Sequence, residues 1–250
     1  MFERLALTGQ RAVVVGAGRG IGRAVAELLA ARGAEVALLA RSADELQEVA
    51  SGIDAGGGRA RVFVVDVLDD AALQRTFTEI GEADILVNAA GTNRPKLLVD
   101  ITLDDIETLL ALNVRATLRT TQLFVRGALD RSAPAAVVNI SSQMGHVGAP
   151  QRSLYCATKH AVEGMTKALA VELAPHGIRV VSVAPTFVET AMTRPFLQDR
   201  HATQTLLDRI PLGRFGTVDE VAEAVAFLCS PAAGLITGSS VLTDGGWTAQ

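Results

Sequence analysis

Tyr155 and Lys159 stand four residues apart in a stretch, residues 155–173, whose small and apolar positions Ala157, Ala161, Val162, Met165 and Leu169 predict a helix. Residues four apart share one helix face. An ammonium held beside a phenol favours the phenolate, so the pairing predicts a tyrosine that gives and takes a proton near neutral pH. Such a pair also arises by chance in ordinary helices, and the chemistry needs more around it. Ser142 follows an apolar run, residues 136–141, and opens a loop, the place where parallel strands present functional side chains. Cys156 adjoins Tyr155, but small buried cysteines are common and it is read as packing.

The elements that must position these residues follow one rhythm. A β-branched run, residues 11–15, leads into Gly16-Ala17-Gly18-Arg19-Gly20-Ile21-Gly22 and then into the helical pattern Ile21, Val25, Leu28, Leu29. Further apolar runs at 35–40, 60–65, 85–88, 136–141 and 179–184 are each separated by a helix-length segment. Continuous rather than alternating apolar strands belong in a sheet covered on both faces. The prediction is an α/β, Rossmann-type doubly wound parallel sheet in a single domain, residues 1–250. The Gly56-Gly57-Gly58 cluster reads as a turn. Between Pro185 and Pro211 the strand and helix signals weaken, and residues 186–210 are expected to form a substrate lid.

Glycines between a strand and a helix let the backbone approach a pyrophosphate at the helix N-terminus. An NAD-binding site needs a carboxylate after the second strand for the adenosine ribose hydroxyls. This chain has Ala40-Arg41-Ser42 there, a guanidinium without the acid, and Arg19 in the glycine turn adds a second cation. That arrangement suits a 2′-phosphate, so NADP(H) is the expected cofactor.

From Gly9 to Gly246 the chain resembles the classical short-chain dehydrogenase/reductase family. Gly16, Gly18, Gly20 and Gly22 meet its glycine pattern, with Val15 where threonine is usual. Asp66-Val67 resembles its adenine-contacting pair, and Asn88-Ala89-Ala90-Gly91 resembles its NNAG element with Ala89 in place of asparagine. The resemblance implies that Ser142, rather than Ser141, joins Tyr155 in hydrogen-bonding the substrate oxygen. It also implies that Lys159 holds the nicotinamide ribose, and that Asn113, in the predicted helical stretch 106–121, fixes a water linking Lys159 to solvent. Read from the residues alone, Asn113 is as readily a satisfied buried amide. Pro185-Thr186-Phe187-Val188-Glu189-Thr190 resembles the PGxxxT element, with Thr186 replacing glycine and Pro185, Val188 and Thr190 left to contact the nicotinamide. Ile21, Arg41 and Ser42 complete the expected cofactor contacts, and Gln143 and Arg152 join Ser142 and Tyr155 as expected substrate contacts.

The activity so implied is the interconversion of a ketone or aldehyde and an alcohol by hydride transfer. Weaker likenesses to dicarbonyl and xylulose reductases and to acyl-carrier-protein ketoreductases point to a small polar ketone or polyol. The competing readings are an NADP-sensing protein without turnover, an NAD-dependent polyol or sugar dehydrogenase, and an epimerase or dehydratase. His146 reads as a loop histidine, since Tyr155 already fills the acid–base role.

Composition excludes other classes. A net charge of −4 without long runs of one sign argues against a nucleic-acid partner. No apolar stretch reaches the roughly 18 residues that span a bilayer, and the first ten residues lack a secretory pattern, so a cytoplasmic location is expected. Cys156 and Cys229 have no neighbours at ligand spacing, so neither disulfide nor metal is expected. More apolar positions at 106–121 and 157–173 than one sheet-facing stripe requires predict a homotetramer, as the resemblance also implies.

Overall fold

A computed structural model describes residues 2–189 and 200–250. Its frame is a parallel sheet of seven strands: β1 (Arg11–Val15), β2 (Glu35–Ala40), β3 (Arg59–Val64), β4 (Ile85–Asn88), β5 (Ala135–Ile140), β6 (Ile178–Pro185) and β7 (Ser240–Thr243). Their spatial order is β3-β2-β1-β4-β5-β6-β7, which reverses direction between β1 and β4 and opens a crevice at the strands' carboxyl ends.

Both faces of the sheet are covered, as the continuous apolar runs required. Val14, Val36, Leu38 and Val87 pack with helices α1 (Gly20–Ala31), α2 (Ala43–Ala55) and α8 (Val218–Cys229). The alternate residues Val13, Val15, Leu39 and Leu86 pack with α3 (Asp70–Ile80), α5 (Ala116–Arg131) and α6 (Ser153–Leu173). Two short helices, α4 (Leu103–Leu109) and α7 (Arg200–Leu207), complete the set.

The strands expected from sequence lie within a few residues of those observed. β7 was not anticipated: it has four residues, Ser-Val-Leu-Thr, and pairs only with β6, too short and too polar for an apolar-run signal. The stretch 106–121 is not one α-helix. It divides into α4, a π-helical segment Leu110–Arg115, and α5. Residues 200–207 of the expected lid are helical, while 190–199, including Thr190, lie outside the described residues. No helix among the described residues is long and apolar enough to cross a membrane, and they hold no cluster of metal-ligating side chains.

Candidate active site

The glycine turn fills the crevice between β1 and β4. Gly16 has φ +84°, and a Cβ there would meet the backbone of Ala90 at 2.7 Å; a Cβ on Gly22 would meet the Gly16 carbonyl oxygen at 2.1 Å. Any side chain at either position would separate turn, helix and β4. The N-cap residue Arg19 makes no side-chain capping bond, and the first turn of α1, from Gly20 through Ile21, holds no acidic residue. Its N–H groups thus lack a side-chain acceptor of their own, as an anion-binding helix N-terminus requires.

Around this cradle, Arg41 is exposed beyond β2 and Ser42 caps α2 through Glu45 N–H at 3.3 Å. Arg19 points to Glu45 instead of standing alone as a second phosphate cation: the guanidinium lies 3.8 Å from that carboxylate, which also packs over Gly18. Asp66 is exposed after β3, its carboxylate accepting from Leu68 N–H at 3.0 Å, and Val67 packs onto the core beneath. Ala89 N–H donates to the Val15 carbonyl at 2.9 Å, holding the loop after β4 to the end of β1. The Asn88 side chain does not face the crevice. It is buried in an internal network, donating to Thr121 Oγ1 (3.0 Å) and Asn139 Oδ1 (2.9 Å) and accepting from Thr120 Oγ1 (2.7 Å). Any cofactor contact at Asn88 falls to its main chain.

Three elements converge on Lys159. It is buried, its Nζ donating to the Ile140 carbonyl at 2.8 Å and standing 5.7 Å from the centre of the Tyr155 ring. Gly91 borders the same point: a Cβ there would be 3.3 Å from Asn113 Oδ1 and 3.9 Å from Lys159 Nζ. Burial pushes the Lys159 ammonium down to about 8, with Glu163 pulling the other way. Burial likewise pushes the Tyr155 phenol up to about 12, opposed by the Ser142 hydroxyl and by the charge of Arg152. This corrects the sequence expectation that Lys159 would bring the phenol toward neutrality. Desolvation outweighs every attraction, and the phenol keeps its proton at neutral pH, the state that serves a proton donor.

Asn113 is a satisfied buried amide, and the structure shows with what. Its Nδ2 donates to the Thr92 carbonyl (2.9 Å) and to Thr158 Oγ1 (3.1 Å), and its Oδ1 accepts from Thr92 N–H (2.9 Å). Thr158 Oγ1 in turn donates to the Tyr155 carbonyl at 2.8 Å. Asn113 thereby fastens the loop after β4 to the turn that carries Tyr155.

Ser142 caps a short 3₁₀ turn, Gln143–Gly145. Its Oγ accepts from Met144 N–H (3.2 Å) and donates to Gln143 Oε1 (2.8 Å). Gln143 was expected to line the substrate space, yet it is only 2% exposed and its Oε1 accepts from the Ser142 hydroxyl. Arg152 sits half-buried at the start of α6, and burial lowers its guanidinium from the usual value. His146 engages Ser240 and Glu163. Pro185 ends β6, and Val188 is buried in a bridge to Gly216. Between them the Thr186 hydroxyl is buried without a hydrogen-bond partner among the described residues, a polar group left over for a ligand at the loop where a nicotinamide amide was expected. Phe187 packs on Trp247 (5.8 Å between ring centres) and on Phe215 (6.3 Å), fixing the base of that loop.

Sequence reasoning missed Thr92, Thr158 and Glu163. Glu163 had a readable signal: it continues the four-residue spacing of Tyr155 and Lys159 along a face that must be buried.

The chain is similar to known proteins over nearly its whole length. The family model described as Enoyl-(Acyl carrier protein) reductase matches residues 16–248. The chain is 38% identical over 243 residues to an L-xylulose reductase of Mesocricetus auratus, covering 97% of this chain and 98% of that one. A putative 2-deoxy-D-gluconate 3-dehydrogenase from Agrobacterium tumefaciens with bound NADP superimposes with a TM-score of 0.94 at 38% identity, covering 99% of both chains. A gluconate 5-dehydrogenase from Burkholderia cenocepacia in complex with NADP and tartrate gives 0.95 at 32% identity, covering 100% of this chain and 99% of that one. With a model match over most of its length and relatives of this identity, the chain belongs to the classical short-chain dehydrogenase/reductase family and is an oxidoreductase.

Proposed function

We propose that the protein is an NADP(H)-dependent reductase of small polyhydroxylated ketones, working through Ser142, Tyr155, Lys159 and Asn113. The observation that carries this reading is the half-buried Tyr155 standing over the buried Lys159 ammonium, with Ser142 at the same carboxyl end of the sheet. Arg41 after β2, with Ala40 where an acid would be needed for NAD, favours the 2′-phosphorylated cofactor. Gly16, Gly18, Gly20 and Ile21 would border the pyrophosphate, Asp66 and Val67 the adenine, and Pro185 and Val188 the nicotinamide.

When bound, the reduced nicotinamide would supply a hydride to the carbonyl carbon, and the oxidised form would take one from the corresponding alcohol carbon. Tyr155 holds the proton at its phenol oxygen and gives it to the carbonyl oxygen as that atom becomes an alcohol. Ser142 would orient the same oxygen by turning its one hydroxyl proton from Gln143 Oε1 to the substrate, and Arg152 keeps positive charge near the phenol. Lys159 anchors the ribose and steadies the phenolate left after transfer, while Asn113 holds Tyr155 in place through Thr158.

Sugar-derived substrates of the relatives support the polyhydroxylated class, and the free buried thiols of Cys156 and Cys229 fit a reducing compartment such as the cytoplasm. A homotetramer fits two separated apolar patches. Leu97, Leu98, Val99 and Leu103 form one; the other includes Leu242 on edge strand β7 and Leu235 just before it, the latter 98% exposed. The test is NADPH oxidation, followed by absorbance, with a panel of small keto-sugars, longer acyl ketones and simple aldehydes. Cofactor binding without consumption on any of them overturns the reductase reading, and faster turnover with NADH overturns the cofactor reading.

A further inference from the structure

One turn beyond Lys159 on α6, Glu163 is 4% exposed, and its carboxylate gathers donors from three other elements. Ser182 of β6 donates to Oε2 at 2.8 Å, Ser240 of β7 donates to Oε1 at 3.1 Å, and His146 Nε2 lies 3.3 Å from Oε1. Ser240 spends its one proton on Glu163, so its 2.9 Å contact with His146 requires the proton on Nε2. The group superficially resembles a serine–histidine–carboxylate relay. It is not one, because a relay needs serine and carboxylate on opposite ring nitrogens, and here one nitrogen meets both.

The group lies beneath the catalytic loop. A Cβ on Gly145 would be 3.0 Å from Glu163 Cγ and 3.1 Å from the Lys159 carbonyl oxygen, so the turn that follows Ser142 rests directly on α6 at Lys159 and Glu163. Tyr155, Lys159 and Glu163 follow one another at four-residue intervals and share a helix face. Among the described residues, the charged and titratable groups around them are His146 from the loop, and Arg152 and Cys156 beside Tyr155; β6 and β7 contribute the uncharged Ser182 and Ser240, and the π-helical segment the uncharged Asn113.

We infer that Glu163 is a positioning residue for the reaction: it fastens the Ser142–His146 loop and strands β6 and β7 to α6, and it supplies the counter-charge for the buried Lys159 ammonium. Burial alone drives Lys159 toward the neutral amine, and Glu163 is the attraction that opposes it. The inference rests on the catalytic assignment of Tyr155 and Lys159 above.

The experiment compares the parent with Glu163→Gln, Glu163→Asp and His146→Gln. NADPH affinity by fluorescence titration and kcat by ketone reduction are both measured from about pH 6 to about pH 10, with Tm recorded alongside. In the parent, affinity weakens as pH rises through about 8, where Lys159 loses its proton. In Glu163→Gln that weakening begins about one pH unit lower, so affinity is roughly tenfold poorer at about pH 9 and parent-like at about pH 6. Glu163→Asp keeps the charge and the parent's limb, although shortening the side chain lowers Tm; His146→Gln lowers Tm without moving the limb. Should Glu163→Gln not fold, Glu163→Leu combined with Ser182→Ala removes the carboxylate together with its most deeply buried donor, and the same early limb is expected. Superimposable pH profiles for parent and charge-removed variant, with Tm alone changed, overturn the inference and leave the reductase reading standing. A parent that binds NADPH and reduces no ketone overturns both.

Discussion

At the scale of single residues, the site combines a phenol held protonated with an ammonium held close to losing its proton, both through burial. Tyr155→Phe removes the proton while keeping the ring's packing. It is expected to leave NADPH affinity within about twofold and to lower kcat by at least about 100-fold, a general acid's usual contribution; steady-state kinetics and a binding titration check this. Lys159→Met is expected to abolish turnover and to raise Tm near pH 7. The buried ammonium costs up to about 3 kcal/mol there, because its folded value of about 8 lies below the ordinary 10.5. The unfolded chain binds that proton more readily between those values, so the parent gains stability as pH rises from about 8 to 10.5, a gain that should vanish in Lys159→Met. Tyr155 acts in the opposite sense, its raised value costing stability as pH climbs from 10 toward about 12. Thermal melts across pH separate the two. Farther along the crevice, Arg41→Ala should lower kcat/KM for NADPH by roughly tenfold, the weak end of a charge-assisted contact because the side chain is exposed, with NADH use unchanged. An unchanged NADPH to NADH ratio would remove Arg41 from the phosphate site.

At the scale of elements, buried hydroxyls and amides align the helices on the sheet. The chain Thr120–Asn88–Asn139–Thr166 links α5, β4, β5 and α6 on one face, and Asn113–Thr158–Tyr155 links the π-helical segment to the turn that carries Tyr155. Buried polar groups left without partners are costly. Asn88→Ala leaves Asn139 Oδ1 without its donor, whereas the Thr120 and Thr121 hydroxyls keep the Ala116 and Thr117 carbonyls as acceptors, and the change is expected to destabilise by about 1–3 kcal/mol while NADPH affinity at low temperature stays near the parent's. Calorimetry and a binding titration decide it; an affinity loss without a stability loss would place the Asn88 side chain at the cofactor after all.

At the scale of the whole molecule, the sheet leaves β7 as an edge, and Leu235 just before it is fully exposed. Edge strands and apolar patches of this kind are normally covered by a partner. Light scattering of the purified protein is expected to give about four times the 26.1 kDa chain mass, and Leu235→Arg to halve that value by opening one of two interfaces. A particle of single-chain mass at micromolar concentration rules the tetramer out.

What the sequence by itself determined was whatever depends on local order. Apolar runs at 11–15, 35–40 and 85–88 can only be strands covered on both faces, glycines between a strand and a helix can only serve a close turn, and Tyr155 and Lys159 four apart must share a face. Tertiary structure decided what depends on neighbours distant in the chain. Desolvation set the sign of the Tyr155 shift, which residue types alone gave wrongly. Gln143 turned inward because its Oε1 accepts from the Ser142 hydroxyl, and Asn88 because three partners from α5 and β5 surround it. β7 forms on the ladder that β6 offers it, and the Glu163 carboxylate is enclosed by Ser182, Ser240 and His146, brought in from both sides along the sequence. Periodicity records which way a side chain points; it carries no record of what stands opposite, and hydrogen bonding and burial are settled there.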